Sequence, residues 1–478
     1  MFEPSSYQQQ VFDRIAAGQG NTVVEAVAGS GKTTTIVEAL RYTPPGARVV
    51  LLAYSTPVAK ELSRRVAGRA HVRTLHSLGL AALRNAGECE MDEKKTGRIL
   101  SGWLSGLDGR TFREMLHLVS LAKGTLVDAH DADAVREMAD RYGLMAGLGE
   151  SLDDMIAVLP DVLDGCRFDS KHADFDDMIW MPLVNNIAVD EFDWVFGDEA
   201  QDWTPADIQL LLRAAGSGGR IVAIGDRFQS MYGFRGADVD AIPAIIEATN
   251  AMTLPLSITY RCPTKHVELA QTIVPHIEAR PGAPAGTVSY VDEFKFSSQL
   301  RDGDMVICRT NAPLMSYALE LIANGVKAVV RGKDLGASLA ALARALSVDA
   351  PSMAQMYANL SKHEEREQRR LASGGVSETA MSMFQDKVDA LAVIMDECAV
   401  PGEVTARIKS LFSEDRGSVT FSTVHGAKGL EAERVFILRP DLMPLSRARQ
   451  AWEQQQERNI EYVAYTRSKS ELYFVEEG

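Results

Sequence analysis

The stretch AVAGSGKTTT, from Ala26 to Thr35, combines glycines, a lysine and hydroxyl groups in a spacing suited to phosphate binding. It lies between an apolar run that predicts a strand and a pattern that predicts a helix. Glycines let backbone N–H groups turn toward phosphate oxygens, and the lysine adds a mobile positive charge. A glycine-rich turn that only starts a helix is the alternative, but the GSGKT core favours a phosphate loop. Its predicted phosphate-contacting residues are Ala28, Gly29, Ser30, Gly31, Lys32, Thr33 and Thr34.

An acidic pair follows a second apolar run, in WVFGDEAQDW from Trp194 to Trp203. Asp198, at the end of the predicted strand, would hold Mg²⁺ together with the hydroxyl of Thr33. Glu199 is placed to orient or deprotonate an attacking water. An acidic loop that caps a helix would explain either carboxylate alone, but not the pair beside a phosphate loop. Together with Lys32, these residues predict ATP binding at 28–34 and ATP hydrolysis with Mg²⁺ as cofactor.

The stretch GDRFQSMYGFRGAD, from Gly225 to Asp238, places an amide close to two aromatic rings and two arginines. Gln229 can hydrogen-bond the γ-phosphate or its attacking water, and so reports the nucleotide state. Tyr232 and Phe234 are close enough to move with it, and their rings could stack on unpaired bases, worth about 1–3 kcal/mol per base. Core packing is the plain alternative for the two rings. Arg235 could hold the loop to the neighbouring carboxylates or contact DNA.

The elements that position these residues alternate between short apolar strands and helical patterns, which predicts parallel, doubly wound sheets. Strand patterns such as NTVVEAVAG and ARVVLLAYS open the chain, and they return at FDWVFGDEA and GRIVAIGD. Between them, from about Arg84 to Ile187, the pattern is helical and charged. A second α/β region is predicted to begin near Leu254, with a polar helical stretch from about Ala340 to Phe412.

Composition limits the possible classes of protein. The chain has 478 residues, 46% of them hydrophobic and 24% charged, which is typical of a soluble globular protein with about two to four domains. A net charge of −15 disfavours a protein that coats nucleic acid, although it leaves a locally basic groove open. We find neither a membrane-spanning run nor a secretory signal, and the five cysteines lack metal-site or disulfide spacing. We therefore expect a cytoplasmic protein, bacterial or phage-encoded, with no membrane partner.

The motifs, in order, resemble those of the UvrD/Rep-like superfamily 1 DNA helicases. GDRFQSMYGFRGA resembles motif III, DEAQD motif II, AYSTPVAKEL motif Ia, and TLHSLGLAAL the TFH-type motif that follows it. YQQQVF is similar to the adenine-reading Q motif, LSITYRCP to motif IV, TFSTVHGAKGLEAERVFI to motif V, and QERNIEYVAYTRSK to motif VI. Thr56, Thr259 and Gly426 depart from the usual residues of motifs Ia, IV and V.

The resemblance implies a role for further residues. In the nucleotide site it implies that Gln8 reads adenine, Tyr260 stacks on it and Glu431 accepts from the ribose. Arg261 and Arg467 would act as arginine fingers, with surface salt bridges as the plain alternative. The implied single-strand path is lined by Tyr54, His76, Tyr232, Phe234, Arg235, Thr423 and His425. DFDDMIWMPL, from Asp174 to Leu183, resembles the segment that returns from the helical insertion, and we expect its acidic pairs to be structural.

The implied fold is two RecA-like P-loop domains, each a parallel doubly wound sheet with a helical insertion. We place the first at 1–84 and 188–253, with a helical insertion at 85–187. The second is placed at 254–340 and 413–478. Its insertion at 341–412 is short, and we expect a reduced accessory subdomain.

The implied function is an ATP-dependent translocase on single-stranded DNA that unwinds tailed or forked duplexes, 3′ to 5′, with replication or repair proteins as possible partners. A translocase that strips proteins such as recombinase filaments from DNA fits the motifs equally well. A P-loop ATPase switch that acts without DNA is an alternative of another class. A helicase–nuclease fusion finds no support in the motifs.

Overall fold

The computed structural model of the chain describes residues 3–103, 111–142, 144, 151–231, 241–373, 378–412, 419–445 and 451–476. Two compact units form, Met1–Ser257 and Ile258–Gly478. Each unit contains a 6-stranded sheet, and within the described residues all strand pairs of both sheets are parallel. The predicted α/β class with two parallel sheets, consistent with RecA-like domains, is confirmed.

The sheet of the first unit is assembled from strands that lie far apart in the chain. The strands of this unit are β1 (Thr22–Ala26), β2 (Val49–Ala53), β3 (His71–Thr74), β4 (Glu90–Met91), β5 (His172–Ala173), β6 (Trp194–Gly197), β7 (Arg220–Gly225) and β8 (Met252–Leu256). The sheet order is β3-β2-β6-β7-β1-β8, and β4 and β5 form a separate parallel pair. The strand that precedes the phosphate loop therefore lies beside the strand that precedes Asp226.

Helices cover both faces of this sheet. They are α1 (Ser6–Ala16), α2 (Lys32–Ala39), α3 (Thr56–Arg65), α4 (Leu75–Ala86), α9 (Asp177–Val184), α10 (Pro205–Ala215) and α11 (Ala241–Thr249), with α5–α8 given below. Successive residues of β1 face opposite sides. Val23 packs into a core with α4, α10 and α11, whereas Val24 packs into a core with α1, α2 and α3. Burial on both faces explains why these strands are continuous apolar runs.

The first helical insertion has a core of its own. Its helices are α5 (Lys95–Trp103), α6 (Thr111–Thr125), α7 (Ala132–Arg141) and α8 (Ser151–Phe168). Leu100, Leu118, Val135 and Leu159 are buried together there, at least 99% removed from solvent. Each of the four helices contributes one of these side chains, so the insertion is a packed subdomain and not a long loop.

The second unit repeats the parallel plan. Its strands are β9 (Ile258–Thr259), β10 (Glu278–Ala279), β11 (Thr287–Asp292), β12 (Met305–Cys308), β13 (Ala328–Val330), β14 (Val419–Thr423), β15 (Ala432–Leu438) and β16 (Ser468–Glu476). The main sheet has the order β11-β16-β15-β12-β14-β13, and β9 pairs with β10. Its helices are α12 (Thr264–Ala270), α13 (Glu293–Phe296), α14 (Ala312–Ala323), α15 (Lys333–Ser347), α16 (Met353–Ser373), α17 (Glu378–Asp396), α18 (Pro401–Leu411) and α19 (Ala451–Tyr465).

The helices α15–α18 share the core of the second sheet. Leu339, Leu391 and Ile408 are buried in the same cluster as Val306 and Phe421 of the sheet strands. This insertion is thus built onto the sheet, in contrast to the first insertion. Among the described residues, no helix combines the length and the apolar character that crossing a membrane requires.

The unit boundary differs slightly from the predicted domain limit at 253/254. Strand β8 pairs with β1 from Thr22↔Met252 to Ala26↔Leu256, so the first sheet extends to Leu256. Pro255 lies within this strand, and proline is tolerated there because β8 is an edge strand. The second helical region likewise begins at Lys333, before the predicted position 341. The domain limits as a whole stay predictions.

Candidate functional site

The phosphate loop joins the end of β1 to the start of α2. Gly29 and Gly31 have φ angles of 71° and 81°, in the left-handed region that favours glycine. Helix α2 begins at Lys32, so backbone N–H groups and the positive end of the helix dipole lie together at the loop. Thr33 and Thr34 occupy the first turn, and Ala28 and Ser30 are buried. The loop is therefore shaped to bind an anion.

Gln8 is tied to this loop from helix α1. Its side chain is buried, and its Nε2 donates to the Thr35 Oγ1 at 3.0 Å. Its Oε1 accepts from the backbone N–H of Ser5 at 3.0 Å, as part of the capping box of α1. Thr35 in turn donates to the Gly31 carbonyl at 3.0 Å. The amide is thus held beside the phosphate loop, where the sequence predicts it.

Lys32 faces three carboxylates at the same edge of the sheet. Its Nζ lies 3.4 Å from Glu199 Oε2. Burial by itself lowers the pKa of this ammonium, but the charges of Glu199, Asp226 and Asp198 outweigh burial and raise it overall. Asp198 follows β6 and Asp226 follows β7, and these two strands are neighbours. Parallel strands end at one edge, which explains how residues so far apart in the chain meet.

Asp198 and Glu199 differ in environment although they are adjacent. Burial, reinforced by the negative charge of Glu199, raises the pKa of Asp198 to about 7. Glu199 has a φ of 53°, a left-handed conformation that costs a non-glycine residue about 1 kcal/mol or more. Its backbone N–H donates to Asp198 Oδ1 at 2.9 Å. The turn therefore directs the Glu199 side chain toward Lys32 while Asp198 stays at the strand end.

A chain of hydrogen bonds connects this pair to the next turn. Gln201 donates from Nε2 to Glu199 Oε2 at 2.5 Å, and its Oε1 accepts from the Asp226 backbone N–H at 2.9 Å. Asp226 Oδ2 accepts from Gln229 Nε2 at 2.7 Å. All three of Gln201, Asp226 and Gln229 are buried. Glu199 and the predicted nucleotide sensor Gln229 thus belong to one network.

The donor set of this site fits Mg²⁺. Among the described residues, Lys32 faces three carboxylates, those of Asp198, Glu199 and Asp226. Carboxylate and hydroxyl oxygens are the ligands that Mg²⁺ prefers, and Thr33 adds a hydroxyl in the first turn of α2.

In the second unit, Arg261 and Glu431 form a partly exposed polar cluster. Arg261 Nε donates to Glu431 Oε2 at 2.7 Å, and its Nη1 donates to the Thr466 carbonyl at 3.2 Å. Lys469 Nζ lies 2.6 Å from Glu431 Oε1. Partial burial raises the pKa of Glu431, but the two cations outweigh this and lower it overall. Tyr260, beside Arg261, is 43% exposed.

Arg467 is almost completely buried, in contrast to Arg261. Its Nε donates to the Val463 carbonyl at 2.9 Å, its Nη1 to the Leu430 carbonyl at 3.1 Å and its Nη2 to Thr466 Oγ1 at 3.1 Å. Leu430 directly precedes Glu431. These contacts place Arg467 near the cluster of Arg261 and Glu431. Residues of motifs IV, V and VI thus meet within one unit.

Comparison with known proteins decides the family. Residues 7–249 match the UvrD/REP helicase N-terminal domain, and residues 354–476 match the UvrD-like helicase C-terminal domain. The chain belongs to the UvrD/Rep helicase family. The predicted resemblance is confirmed, and the first match covers the phosphate loop, the acidic pair and Gln229.

The relatives described below have low sequence identity to this chain and are longer than it. The chain is 25% identical to the ATP-dependent DNA helicase UvrD1 of Mycobacterium tuberculosis over 296 residues, or 53% of this chain and 37% of the relative. For the ATP-dependent DNA helicase PcrA of Leuconostoc citreum the identity is 22% over 302 residues, or 56% and 39%. The F-box DNA helicase protein 1 of Schizosaccharomyces pombe is 22% identical over 506 aligned positions, or 94% and 55%. The chain thus spans between 37% and 55% of the lengths of these family members.

Among the predicted DNA-contact residues of this helicase-family chain, His76 packs against an exposed aromatic ring. It lies on α4, and its ring stacks on Phe175 with centroids 3.8 Å apart and planes 27° from parallel. Burial lowers the pKa of His76 to about 4, so the ring is neutral at pH 7. Phe175 is 59% exposed, although Asp174 directly before it is buried. Tyr54, after β2, is 41% exposed.

Thr423 and His425 lie at the end of β14 in the second sheet. Thr423 Oγ1 accepts from the Gly426 backbone N–H at 3.2 Å. Burial, with the charges of Arg309 and Lys428, lowers the pKa of His425 to about 3, so this ring is also neutral. The predicted contacts Tyr232, Phe234 and Arg235 lie outside the described residues.

Sequence reasoning missed several residues of these sites. Gln201 and Asp226 lie inside the quoted motifs, in DEAQD and GDRFQS, but their bridging role depends on two neighbouring strand ends. Phe175 lies in DFDDMIW, where an aromatic between acidic residues was the available signal. Lys469, two residues after Arg467, lacked a signal because its partner Glu431 is distant in sequence.

Proposed function

We propose that this chain is an ATP-dependent translocase on single-stranded DNA that unwinds duplex DNA. The observation that carries the proposal is the buried network that joins Lys32, Glu199 and Gln229 at the phosphate loop of a UvrD/Rep family member. A lysine, an acidic pair and a polar sensor at one sheet edge are the parts that phosphoryl transfer to water requires. The 3′ to 5′ direction is proposed from the family resemblance.

The chemistry follows from the residues of the first unit. The phosphate loop and Lys32 would bind the β- and γ-phosphates of ATP. Thr33 and Asp198 would hold Mg²⁺, which neutralises charge on the phosphates when it is bound. Glu199 would orient the attacking water and accept its proton, because its carboxylate is fixed beside Lys32. Gln229 would contact the γ-phosphate or the water and respond to hydrolysis.

For residues of the second unit we propose two roles, which are binding of the adenosine part of ATP and stabilisation of the transition state. Tyr260 is exposed enough to stack on adenine, and Glu431 is held ionised by its cationic partners and so can accept from a ribose hydroxyl. The partial exposure of the Arg261 guanidinium supports its proposed role as an arginine finger. For Arg467 the proposal rests on the family resemblance, since this side chain is bound to main-chain carbonyls of its own unit.

We propose that single-stranded DNA contacts Tyr54, His76, Thr423, His425 and the residues Tyr232, Phe234 and Arg235. To these we add Phe175. The exposed rings of Tyr54 and Phe175 suit unpaired bases, because stacking needs an accessible π-face. Replacing Phe175 with alanine should weaken binding of an oligothymidine about 5- to 100-fold, as loss of one stacked base would. Unchanged affinity would remove Phe175 from the DNA path.

The deciding experiment is ATP hydrolysis with and without single-stranded DNA, together with unwinding of duplexes that carry a 3′ or a 5′ tail. We expect strong stimulation by DNA and a preference for the 3′ tail. Stimulation with displacement of a bound protein but little strand separation would favour the protein-stripping alternative. Equal rates of ATP hydrolysis with and without single-stranded DNA would favour the ATPase switch and overturn the proposal.

We also propose the domain plan 1–84 with 188–253, and 254–340 with 413–478, with the insertions at 85–187 and 341–412. The shared core of helices α15–α18 and the second sheet supports the view that 341–412 is a reduced accessory subdomain. A helicase of this form should separate short duplexes and depend on a partner for long ones. Strand separation measured against duplex length checks this.

A further inference from the structure

Gln201 makes a two-sided bridge between the turn of Glu199 and the turn of Gln229. The side chain is 1% exposed and lies in the single helical turn Ala200–Asp202 that follows Glu199. Its Nε2 donates to Glu199 Oε2 at 2.5 Å, and its Oε1 accepts from the Asp226 backbone N–H at 2.9 Å. One amide therefore connects the ends of the neighbouring strands β6 and β7.

Chemistry determines the orientation of this amide. The carboxylate of Glu199 needs a donor and the N–H of Asp226 needs an acceptor, so only one of the two amide orientations satisfies both. Glutamine supplies the donor and the acceptor at the required spacing. A glutamate at this position would keep the acceptor but place a second carboxylate against Glu199.

The backbone beside Gln201 is adapted to it. A Cβ atom on Gly225 would lie 2.6 Å from Gln201 Oε1, closer than real Cβ contacts, and 3.0 Å from its backbone nitrogen, which is a tight contact. Glycine at the end of β7 thus permits the amide to reach the Asp226 N–H. Beyond that point, Asp226 accepts from Gln229 Nε2 at 2.7 Å and from the Phe228 backbone N–H at 3.1 Å.

Glu199 depends on such a partner more than an ordinary glutamate does. Its backbone is in the left-handed region, and its carboxylate is shared between Gln201 and the longer 3.4 Å contact to Lys32. When Lys32 turns to phosphate oxygens, the shorter bond from Gln201 would remain to hold the carboxylate.

We propose that Gln201 is a positioning residue for ATP hydrolysis. It fixes the carboxylate of Glu199 relative to the turn that carries Gln229, so that the base and the sensor keep one geometry when nucleotide is bound. This inference rests on the proposed ATPase function and adds a residue that acts through Glu199 and not on the phosphate itself.

The test compares Gln201→Glu with the wild type and with a matched control. Asn21 makes a similar amide bridge at the other end of the same sheet, since it accepts from the Ile221 N–H at 2.9 Å and donates to the Thr249 carbonyl at 2.8 Å. Asn21→Asp therefore makes the same change of amide to carboxylate away from the phosphate loop.

The expected result is a loss of kcat without a matching change in KM. DNA-stimulated ATP hydrolysis by Gln201→Glu should fall 10-fold or more in kcat, in the range that one positioned catalytic group contributes. Its KM for ATP should stay within about 3-fold of the wild type, because the phosphate loop is untouched. Asn21→Asp should retain kcat. Gln201→Met, which keeps the volume and removes both polar atoms, should lose kcat in the same way.

A double variant distinguishes the positioning role from a merely structural one. If Gln201 acts through the turn of Gln229, then Gln201→Glu combined with Gln229→Ala should lose less activity than the product of the two single losses. Independent, multiplying losses would overturn the link between the two turns.

Each outcome bears on a separate claim. Absence of ATP turnover in the wild type would overturn the proposed function itself. If the wild type is active and Glu199→Gln is inactive, then wild-type kcat in folded Gln201→Glu or Gln201→Met overturns the positioning role alone. If both Gln201 variants fail to fold while Asn21→Asp folds, Gln201 is a structural residue and the inference is also overturned.

Discussion

Two buried groups of lysines and carboxylates lie in the first unit, and they differ in charge balance. We define the insertion cluster as Lys95, Lys123, Asp174 and Asp177, and the phosphate-loop cluster as Lys32, Asp198, Glu199 and Asp226. In the insertion cluster Lys95 lies 2.8 Å from Asp177, and Lys123 lies 2.8 Å from Asp177 and 3.1 Å from Asp174. With the neighbouring Asp176, which interacts electrostatically with Lys123, Asp174 and Asp177, the described residues of the insertion cluster include three carboxylates to two lysines. Those of the phosphate-loop cluster include three carboxylates to one lysine.

The electrostatics of the two clusters follow from this difference. Burial raises the pKa of Asp174, but the charge of Lys123 and the Thr96 hydroxyl outweigh it, so the pKa is lowered overall. Burial raises the pKa of Asp198 as well, and there the charge of Glu199 adds to the effect, giving about 7. Lys32 reaches Glu199 only at 3.4 Å.

The comparison teaches how a structural cluster differs from a site that awaits a ligand. Ion pairs with short contacts offset part of the cost of their own burial and hold elements together. A group of carboxylates around one lysine instead favours the binding of a cation such as Mg²⁺. The insertion cluster joins α5, α6 and the start of α9, whereas the phosphate-loop cluster lies at the ends of β6 and β7 and the start of α2.

The largest expected effect comes from the phosphate-loop cluster. Glu199→Gln should lower kcat for ATP hydrolysis about 10²- to 10⁴-fold, because it removes the group proposed to accept the proton of water. Its free energy of unfolding should change by less than about 1 kcal/mol, since Lys32 keeps the carboxylates of Asp198 and Asp226. Phosphate release and urea unfolding measure the two quantities. Glu247→Gln, on the exposed face of α11, is the control, and wild-type turnover in Glu199→Gln would contradict the assignment.

The reverse result is expected in the insertion cluster. Asp177→Asn removes the carboxylate that Lys95 and Lys123 share, so the buried positive charge is less compensated although Lys123 keeps Asp174. The free energy of unfolding should fall by about 3–5 kcal/mol. ATP hydrolysis without DNA should stay within about 2-fold of the wild type at a temperature where both proteins are folded. Urea unfolding and phosphate release test this, and a loss of stability below about 1 kcal/mol would show that the cluster is not the ion-pair network described above.

Much of the phosphate-loop cluster could be predicted from sequence because its residues come shortly after strands. Asp198 directly follows β6, and Lys32 begins α2 after the loop that follows β1; parallel strands bring such ends to one edge. The sheet strands were recognisable since both faces are buried. The alternation of strand and helix was therefore enough to predict two parallel sheets.

The insertion cluster could not be predicted in the same way. Lys95 and Lys123 lie on helices whose pattern reads as charged and solvated, and only packing places them against Asp177. The stacking of His76 on Phe175 also depends on the return of the chain from the insertion. The ends of β8 and α15 could not be read from the pattern, because pairing and capping contacts set element ends and the pattern does not contain them.

The third prediction uses Mg²⁺ to separate the clusters. A non-hydrolysable ATP analogue should stabilise the protein against heat more strongly with Mg²⁺ than with EDTA, by up to about 2.7 kcal/mol at a concentration 100-fold above Kd. Asp198→Asn should lose the part that depends on Mg²⁺, whereas Asp177→Asn should keep it relative to its own lower baseline. Thermal unfolding of the three proteins with and without the metal measures this. A full Mg²⁺ effect in Asp198→Asn would place the metal elsewhere.

The smallest effect is expected in the pH dependence of stability, through Asp174. Because its pKa is lowered in the folded protein, its ion pair with Lys123 contributes stability above the pKa of an unfolded aspartate, near 4. That contribution should be lost as the pH falls below about 4 toward the lower folded pKa. Asp174→Asn should therefore show a shallower loss of stability between pH 5 and 3 than the wild type, as measured by urea unfolding. Asp140→Asn, on the exposed side of α7, should keep the wild-type slope, and equal slopes in all three proteins would mean that Lys123 does not stabilise the charge of Asp174.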